Sequence, residues 1–268
     1  MRILVLVDNN TYIDQYYLGE PAACFYLEDG GTKILLDAGY SDVFIKNAGK
    51  LHVDLKEISH IALSHGHNDH TRGLRFLPGT VDMRNITIVA HPGVFAERYE
   101  GVIPIGCPVE RSFLEDASRL VLTKDPYPIS EHITFLGEIP AVTDFERTKP
   151  VGFVKDAGGA RDDFVTDDSA LALTTENGLF IVTGCSHSGI CNIIEHARNV
   201  CGEKRIAGVL GGFHLLEVSQ QLVKTIEYFK RNKITNLYPC HCVSFAAKAE
   251  IHRQLPIHEV GVGMEIVV

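Results

Sequence analysis

The stretch LSHGHNDHTRG, Leu63 to Gly73, places His65, His67, Asp69 and His70 within six residues. Imidazole and carboxylate are borderline-to-hard ligands that suit zinc, iron or manganese. On an extended or tightly turned loop, eased here by Gly66, His65 and His67 alternate onto one side. Asp69 and His70 then turn toward a second point nearby. A lone histidine is usually a surface residue or a hydrogen-bonded core residue. Four such residues beside a strand end form a metal-binding pattern instead. A local quartet cannot complete the coordination of two metals, so distant ligands have to join it.

The carboxyl half offers them. GLFIVTGCSH sets Cys185 and His187 just past an apolar strand, before a helix that opens near Ile190. GVLGGFHLL does the same for His214, and LYPCHCVS for His241. Successive strand ends that each deliver a histidine converge on one edge of a sheet, a recurrent site geometry. Cys185 reads either as a thiolate that binds or bridges metal, or as a small buried apolar residue. Cys240 and Cys242 flank His241, and alternation along a strand turns the histidine away from both, so His241 is read as the ligand with both cysteines packed. Asp167 and Asp168 read as a solvated loop pair. Gly158-Gly159 with Arg161 reads as a mobile surface loop.

The elements that position these residues follow from apolar periodicity. Ile3–Val7, Ala22–Leu27 and Lys33–Leu36 read as strands, the last two joined by a tight Asp29-Gly30-Gly31 turn. A helix around Ser41–Ala48 and a turn capped by Asp54 lead into the strand Ile61–Ser64, and Ile86–Ala90 is the next strand. Residues 101–164 are rich in Pro, Gly and Asp and read as a few strands and long loops that edge a pocket. Ala170–Thr175 and Leu179–Thr183 form a hairpin about Asn177-Gly178. Helix Ile190–Val200, strand Ile206–Leu210, helix Glu217–Lys230, strand Ile234–Tyr238 and helix Ser244–Arg253 follow, and Gly263–Val268 closes the chain as a strand. Both halves run strands first and helices after, which gives an α+β class, one four-layer αββα sandwich over residues 1–268.

Composition limits the function. The 268 residues are 45% hydrophobic and 22% charged, a globular composition, with a formal net charge of −9. That acidity argues against a nucleic-acid or membrane partner and for a small-molecule substrate. The first residues read as a strand rather than a signal peptide, and no apolar run approaches a membrane span. Seven scattered cysteines are not a disulfide framework and point to a reducing cytoplasm.

HGHNDH fits the His-x-His-x-Asp-His signature of the metallo-β-lactamase superfamily, and the chain resembles that superfamily over nearly its whole length. Asp37 to Gly39 looks like its early Asp-x-Gly element. GCSHSGI, GGFHL and PCHC together resemble a branch related to a methanopterin-pathway 7,8-dihydropteroate synthase. Two features depart from the superfamily pattern. Between the first cluster and the late aspartate many relatives supply a ligand histidine, where this chain has only His91 and His132 outside any matching motif, so His187 is taken as the substitute. Cys185 stands where relatives place a metal-bridging aspartate.

The resemblance implies two divalent ions, zinc foremost with iron or manganese as alternatives. His65, His67 and His187 would hold the first; Asp69, His70 and His241 the second. It implies hydrolysis of a small anionic ester or phosphodiester by metal-bound hydroxide, oriented by Asp69, with His214 as general acid. The alternatives are a dihydropteroate synthase-like step that expels pyrophosphate from a pterin, and an iron-dependent oxidoreductase. Asp168 enters as a candidate supporting residue.

Overall fold

Most of the long strands are apolar on both faces, a pattern that only a sheet covered on both sides can use. The computed structural model describes every residue except Ala157. The chain opens with β1 (Arg2–Val7), β2 (Cys24–Asp29), β3 (Thr32–Leu36), α1 (Val43–Lys50), β4 (His60–Leu63) and the one-turn α2 (Asn68–Thr71). β5 (Thr87–Ala90), β6 (Glu97–Glu100), β7 (Ile103–Pro104), α3 (Arg111–Ala117) and β8 (Arg119–Leu122) follow. Next come β9 (Tyr127–Pro128), β10 (Ile133–Phe135), β11 (Gly152–Asp156), β12 (Gly159–Asp163), β13 (Ala170–Thr175) and β14 (Gly178–Thr183). The last run is α4 (Ile190–Cys201), β15 (Ile206–Gly211), α5 (Gln220–Arg231), β16 (Leu237–Pro239), α6 (Phe245–Gln254) and β17 (Glu265–Val267).

A seven-stranded sheet runs β17-β1-β2-β3-β4-β5-β8 and a six-stranded one β16-β15-β14-β13-β10-β9. Alternation along each strand sends one set of side chains between the sheets and the other outward. Ile3, Val5, Phe25, Leu36 and Ala62 of the first sheet meet Phe135, Leu171, Phe180, Val182 and Leu210 of the second in one buried cluster. Leu4, Leu6, Leu35 and Ile61 instead pack under Phe44 of α1, Leu74 and Leu77, and Leu114 of α3. Ala170, Ile181 and Val209 pack under Ile190 and Ile194 of α4, Ile226 and Phe229 of α5, and Ile251 of α6. The result is the αββα order of layers.

Each large sheet is antiparallel on one side and parallel on the other. β3, β4, β5 and β8 run parallel, as do β14, β15 and β16. Side-chain caps start α5 and α6 close to where the sequence places them: Ser219 accepts from Leu222 N and Ser244 from Ala247 N.

Several boundaries differ from the sequence reading. Thr175 pairs with Gly178, so the hairpin loop is Glu176-Asn177 and Gly178 opens β14. β16 is only Leu237–Pro239, an edge strand where a proline costs no ladder bond. Residues 101–164 carry more order than their composition suggests. α3 and β8 extend the first sheet's layer, β9 and β10 extend the second, and β11 and β12 join β6 and β7 in a small sheet β12-β11-β6-β7. Gly159 and Arg161 lie in β12, paired with β11, and are not part of a loop; Gly158 lies in the turn before it. Among the described residues, no helix is long and apolar enough to cross a membrane.

Candidate metal centre

The loops that leave the carboxyl ends of β3, β4, β14, β15 and β16 meet at one edge of the sandwich, and each turns sharply to do so. Asp37, Ser186, His214 and His241 all take left-handed backbone conformations, with φ of 63°, 58°, 47° and 51°. Such geometry is costly for residues with a Cβ and is concentrated at functional sites. All the histidines singled out from the sequence arrive here. His65 and His70 are fully buried, and His67 and His187 nearly so.

The donor atoms fall into two groups. In the first, His65 Nε2 stands 3.0 Å from His67 Nδ1, and the His187 ring lies 4.8 Å, centre to centre, from each of those rings. In the second, His70 Nε2 is 3.2 Å from His241 Nε2, and Asp69 Oδ2 is 3.5 Å from the former and 3.3 Å from the latter. Cys185 Sγ is 3.2 Å from His70 Nε2. Bonds of about 2.0–2.1 Å from nitrogen to a tetrahedral zinc set neighbouring ligand atoms about 3.3–3.4 Å apart. The spacing fits a metal.

Proton bookkeeping sharpens the point. His70 Nδ1 donates to Asp37 Oδ2 at 2.7 Å, and His241 Nδ1 donates to Asn9 Oδ1 at 3.1 Å. In the neutral rings the two Nε2 atoms are therefore bare lone pairs, facing each other beside a carboxylate. Ser64 Oγ donates to Asp37 Oδ2 at 2.7 Å, so it accepts from His65 Nδ1 at 2.9 Å and leaves His65 Nε2 bare as well. A cluster of this kind suits a cation, either a metal ion or a proton on His70. His67 Nε2, both ring nitrogens of His187 and His214 Nδ1 are also buried without a hydrogen-bond partner.

The charges agree. Burial pushes His65 and His187 well below the ordinary imidazole value and His67 down to about 4, with neighbouring rings adding to the effect on His65 and His187. Those imidazoles are neutral, the form that binds metal. Burial disfavours charge on both Asp69 and His70. Their mutual attraction outweighs it, so Asp69 is held well below the carboxylate range and His70 well above the imidazole range, with Asp37 assisting His70.

Supporting residues fix this arrangement. Asp37 Oδ1 also accepts from Ser64 N at 2.7 Å. Gly184 lets that pair lie close, since a Cβ there would stand 2.1 Å from Ser64 Oγ. Asp8, at the end of β1, accepts from His241 N at 2.8 Å. Asp167 accepts from Gly66 N at 2.8 Å and is paired with Arg98, which also binds Asp163 at 2.7 Å. A Cβ on Gly66 would lie 2.1 Å from Val94 O, so this turn needs glycine for close approach.

Several sequence readings are corrected here. Asp167 and Asp168 are not solvated: both are fully buried. Asp167 is stabilised by its ion pair. Asp168 accepts from Ser188 N at 2.8 Å, beside His187, and burial raises its pKa to about 7. Cys240 is fully buried, as expected, but Cys242 lines the cavity. His91 and His132 stay outside the centre, pairing with Glu138 and Asp29. Arg161 is exposed on β12 and does not line the cavity. Sequence reasoning missed Asp8, Asn9, Ser64 and Arg98 altogether. Ser64, beside the first histidine, carried the one local signal.

The centre floors a cavity of about 620 Å³ lined by Tyr40, Asp69, Glu100, His214, Leu216 and Ser244 among others, within the size range of small-ligand sites. Among the described residues, Glu100 is its one charged side chain besides Asp69 and the histidines, and no lysine or arginine lines it. His214 reaches this cavity with its ring 4.3 Å from that of His187, centre to centre.

A profile of the Metallo-beta-lactamase superfamily matches residues 18–171. An uncharacterised protein of Methanocaldococcus jannaschii is 32% identical over 251 residues, 93% of each chain. The 7,8-dihydropterin-6-methyl-4-(β-D-ribofuranosyl)-aminobenzene-5′-phosphate synthase of the same organism is 33% identical over 235 residues, 83% of this chain and 80% of that one. Among solved structures, a metal-dependent hydrolase of the β-lactamase superfamily superposes with a TM-score of 0.86 at 29% identity, covering 100% of this chain and 99% of that one.

Proposed function

The chain belongs to the metallo-β-lactamase superfamily, and from that premise we propose that it is a dinuclear metal-dependent hydrolase of small esters or phosphodiesters. One observation carries the reading: the Nε2 atoms of His65, His70 and His241 gather at one centre, with each Nδ1 held behind by a hydrogen bond. His65, His67 and His187 would hold one ion and Asp69, His70 and His241 the other, with zinc best suited to this donor set. Ions bound there would polarise the electrophile and acidify a nearby water. Asp69, at the cavity surface, accepts and orients the proton of the attacking water. His214, also at that surface and outside both ligand sets, protonates the leaving group. With no lysine or arginine among the described residues of the lining, an anionic substrate depends on the metal centre for its charge partner.

Metal analysis of protein purified without added metal tests this reading, together with turnover of bis-nitrophenyl phosphate and nitrophenyl esters. Two zinc ions per chain and turnover lost in His67→Ala are the expected results. One iron per chain, or full turnover in His67→Ala, would overturn it.

A second reading rests on the 33% identical synthase: the same centre would act on a dihydropterin substrate. A zinc-loaded protein inert toward every ester but consuming a pterin pyrophosphate would favour it.

A further inference from the structure

We propose that the Cys185 sulfur is shared by both ions, so that the centre is built around a bridging thiolate. This rests on the dinuclear reading above and adds to it the identity of the bridge. The donor atoms of Asp69, His70, Cys185 and His241 lie within 4.8 Å of one another, and so do those of His65, Cys185 and His187. Cys185 is the one residue in both groups.

The backbone holds it there. Cys185 follows Gly184, whose carbonyl accepts from Gly212 N at 2.8 Å, and its own carbonyl accepts from Cys242 Sγ at 3.4 Å. Two parallel strands and their loops thus lock the position from which the sulfur projects. Cys185 is buried at the floor of the cavity, among imidazole nitrogens and a carboxylate. A thiolate alone in such a place would be an uncompensated buried charge. Between two divalent ions it is a ligand on both sides, and the thiol proton leaves as the metal enters.

A sulfur bridge also sets metal preference. Thiolate is a soft donor that favours zinc, cobalt or iron over magnesium or manganese. It would add Cys185 to both ligand sets: to His65 and His187, with His67 beside His65, on one side, and to Asp69, His70 and His241 on the other.

Cobalt(II) titration of the metal-free protein tests the proposal through spectra rather than activity. A shared thiolate gives a sulfur-to-cobalt charge-transfer band that grows through both the first and second equivalents, and the cobalt paramagnetic resonance signal weakens as the second site fills. Cys185→Ser is expected to lose the band and to bind both ions at least about tenfold more weakly, the scale of losing a site contact. Cys242→Ser is expected to keep the band. A band that saturates at one equivalent while a second cobalt still binds would show Cys185 as a terminal ligand and overturn the bridge. So would a band retained in Cys185→Ser and lost in Cys242→Ser. Wild-type protein that takes up no cobalt at all would overturn the metal centre itself, a result distinct from the other two. The wild-type titration decides the matter even if Cys185→Ser fails to fold.

Discussion

Replacing Asp37 by Asn should weaken both metal sites at once, although Asp37 belongs to neither. Its Oδ2 accepts two hydrogen bonds, from His70 Nδ1 and from the Ser64 hydroxyl that in turn accepts from His65 Nδ1. One carboxylate oxygen therefore fixes the tautomer of a histidine in each group. An amide with its oxygen kept on Ser64 N presents NH₂ where Oδ2 was, and two donors face two donors. Relief requires both histidines to move their proton to Nε2, the atom that faces the metal. Losing an orienting partner costs about 10–100-fold in metal affinity, or about 1.4–2.8 kcal/mol per site. The metal-free protein should also lose about 1–3 kcal/mol for each buried donor left unpaired. Zinc competition against a chromophoric chelator reads the two affinities, and denaturant unfolding reads the stability. Ser64→Ala is the control, because it removes the relay to His65 and leaves the Asp37–His70 bond in place. It should weaken the first site alone. Asp37→Asn with two wild-type affinities, or Ser64→Ala that weakens both sites equally, would refute the tautomer argument.

Three further outcomes follow from other contacts. Arg98→Met leaves Asp163 and Asp167 buried without their cation and should cost about 3–5 kcal/mol in unfolding free energy; it should also loosen the Gly66 turn, so that metal analysis finds the first site depleted. Burial pushes Asp168 up to about 7, well above the ordinary carboxylate value, so the native state binds its proton more tightly than the unfolded chain. The metal-free protein should lose stability as pH rises from about 4 through 7, by a few kcal/mol at most, and Asp168→Asn, which keeps an acceptor for Ser188 N, should flatten that slope in urea titrations. His214→Ala should retain both metals and lower turnover by about 10²–10⁴-fold, with a smaller loss on nitrophenolate leaving groups; loss of a metal would make His214 a ligand.

The histidines that gather at the centre were legible because their signals are local: HGHNDH is contiguous, and His187, His214 and His241 each follow an apolar strand. Their supports were not. Asp167 and Asp168 look like any charged loop pair until Arg98, 69 residues away from Asp167, and Ser188, 20 residues away from Asp168, appear as partners. Burial of a charge is a property of the pair, and the pair exists only in three dimensions. The strand β10 escaped for a similar reason. Ile133 and Phe135 are too few to show a period, yet β13 holds them in register. Asp8 and Asn9 read simply as the end of a strand, because the histidine they position lies 233 and 232 residues further on.

That last separation has a consequence for the order of synthesis. The ribosome delivers Asp8 and Asn9 first and His241 only 233 and 232 residues later. The nascent chain can present HGHNDH, and later Cys185 and His187, long before the final imidazole and its acceptor can meet. A complete second site therefore cannot form until residue 241 has been synthesised and has left the ribosome. Pulse-labelled nascent chains stalled before residue 237 should accordingly capture zinc less tightly than the finished protein.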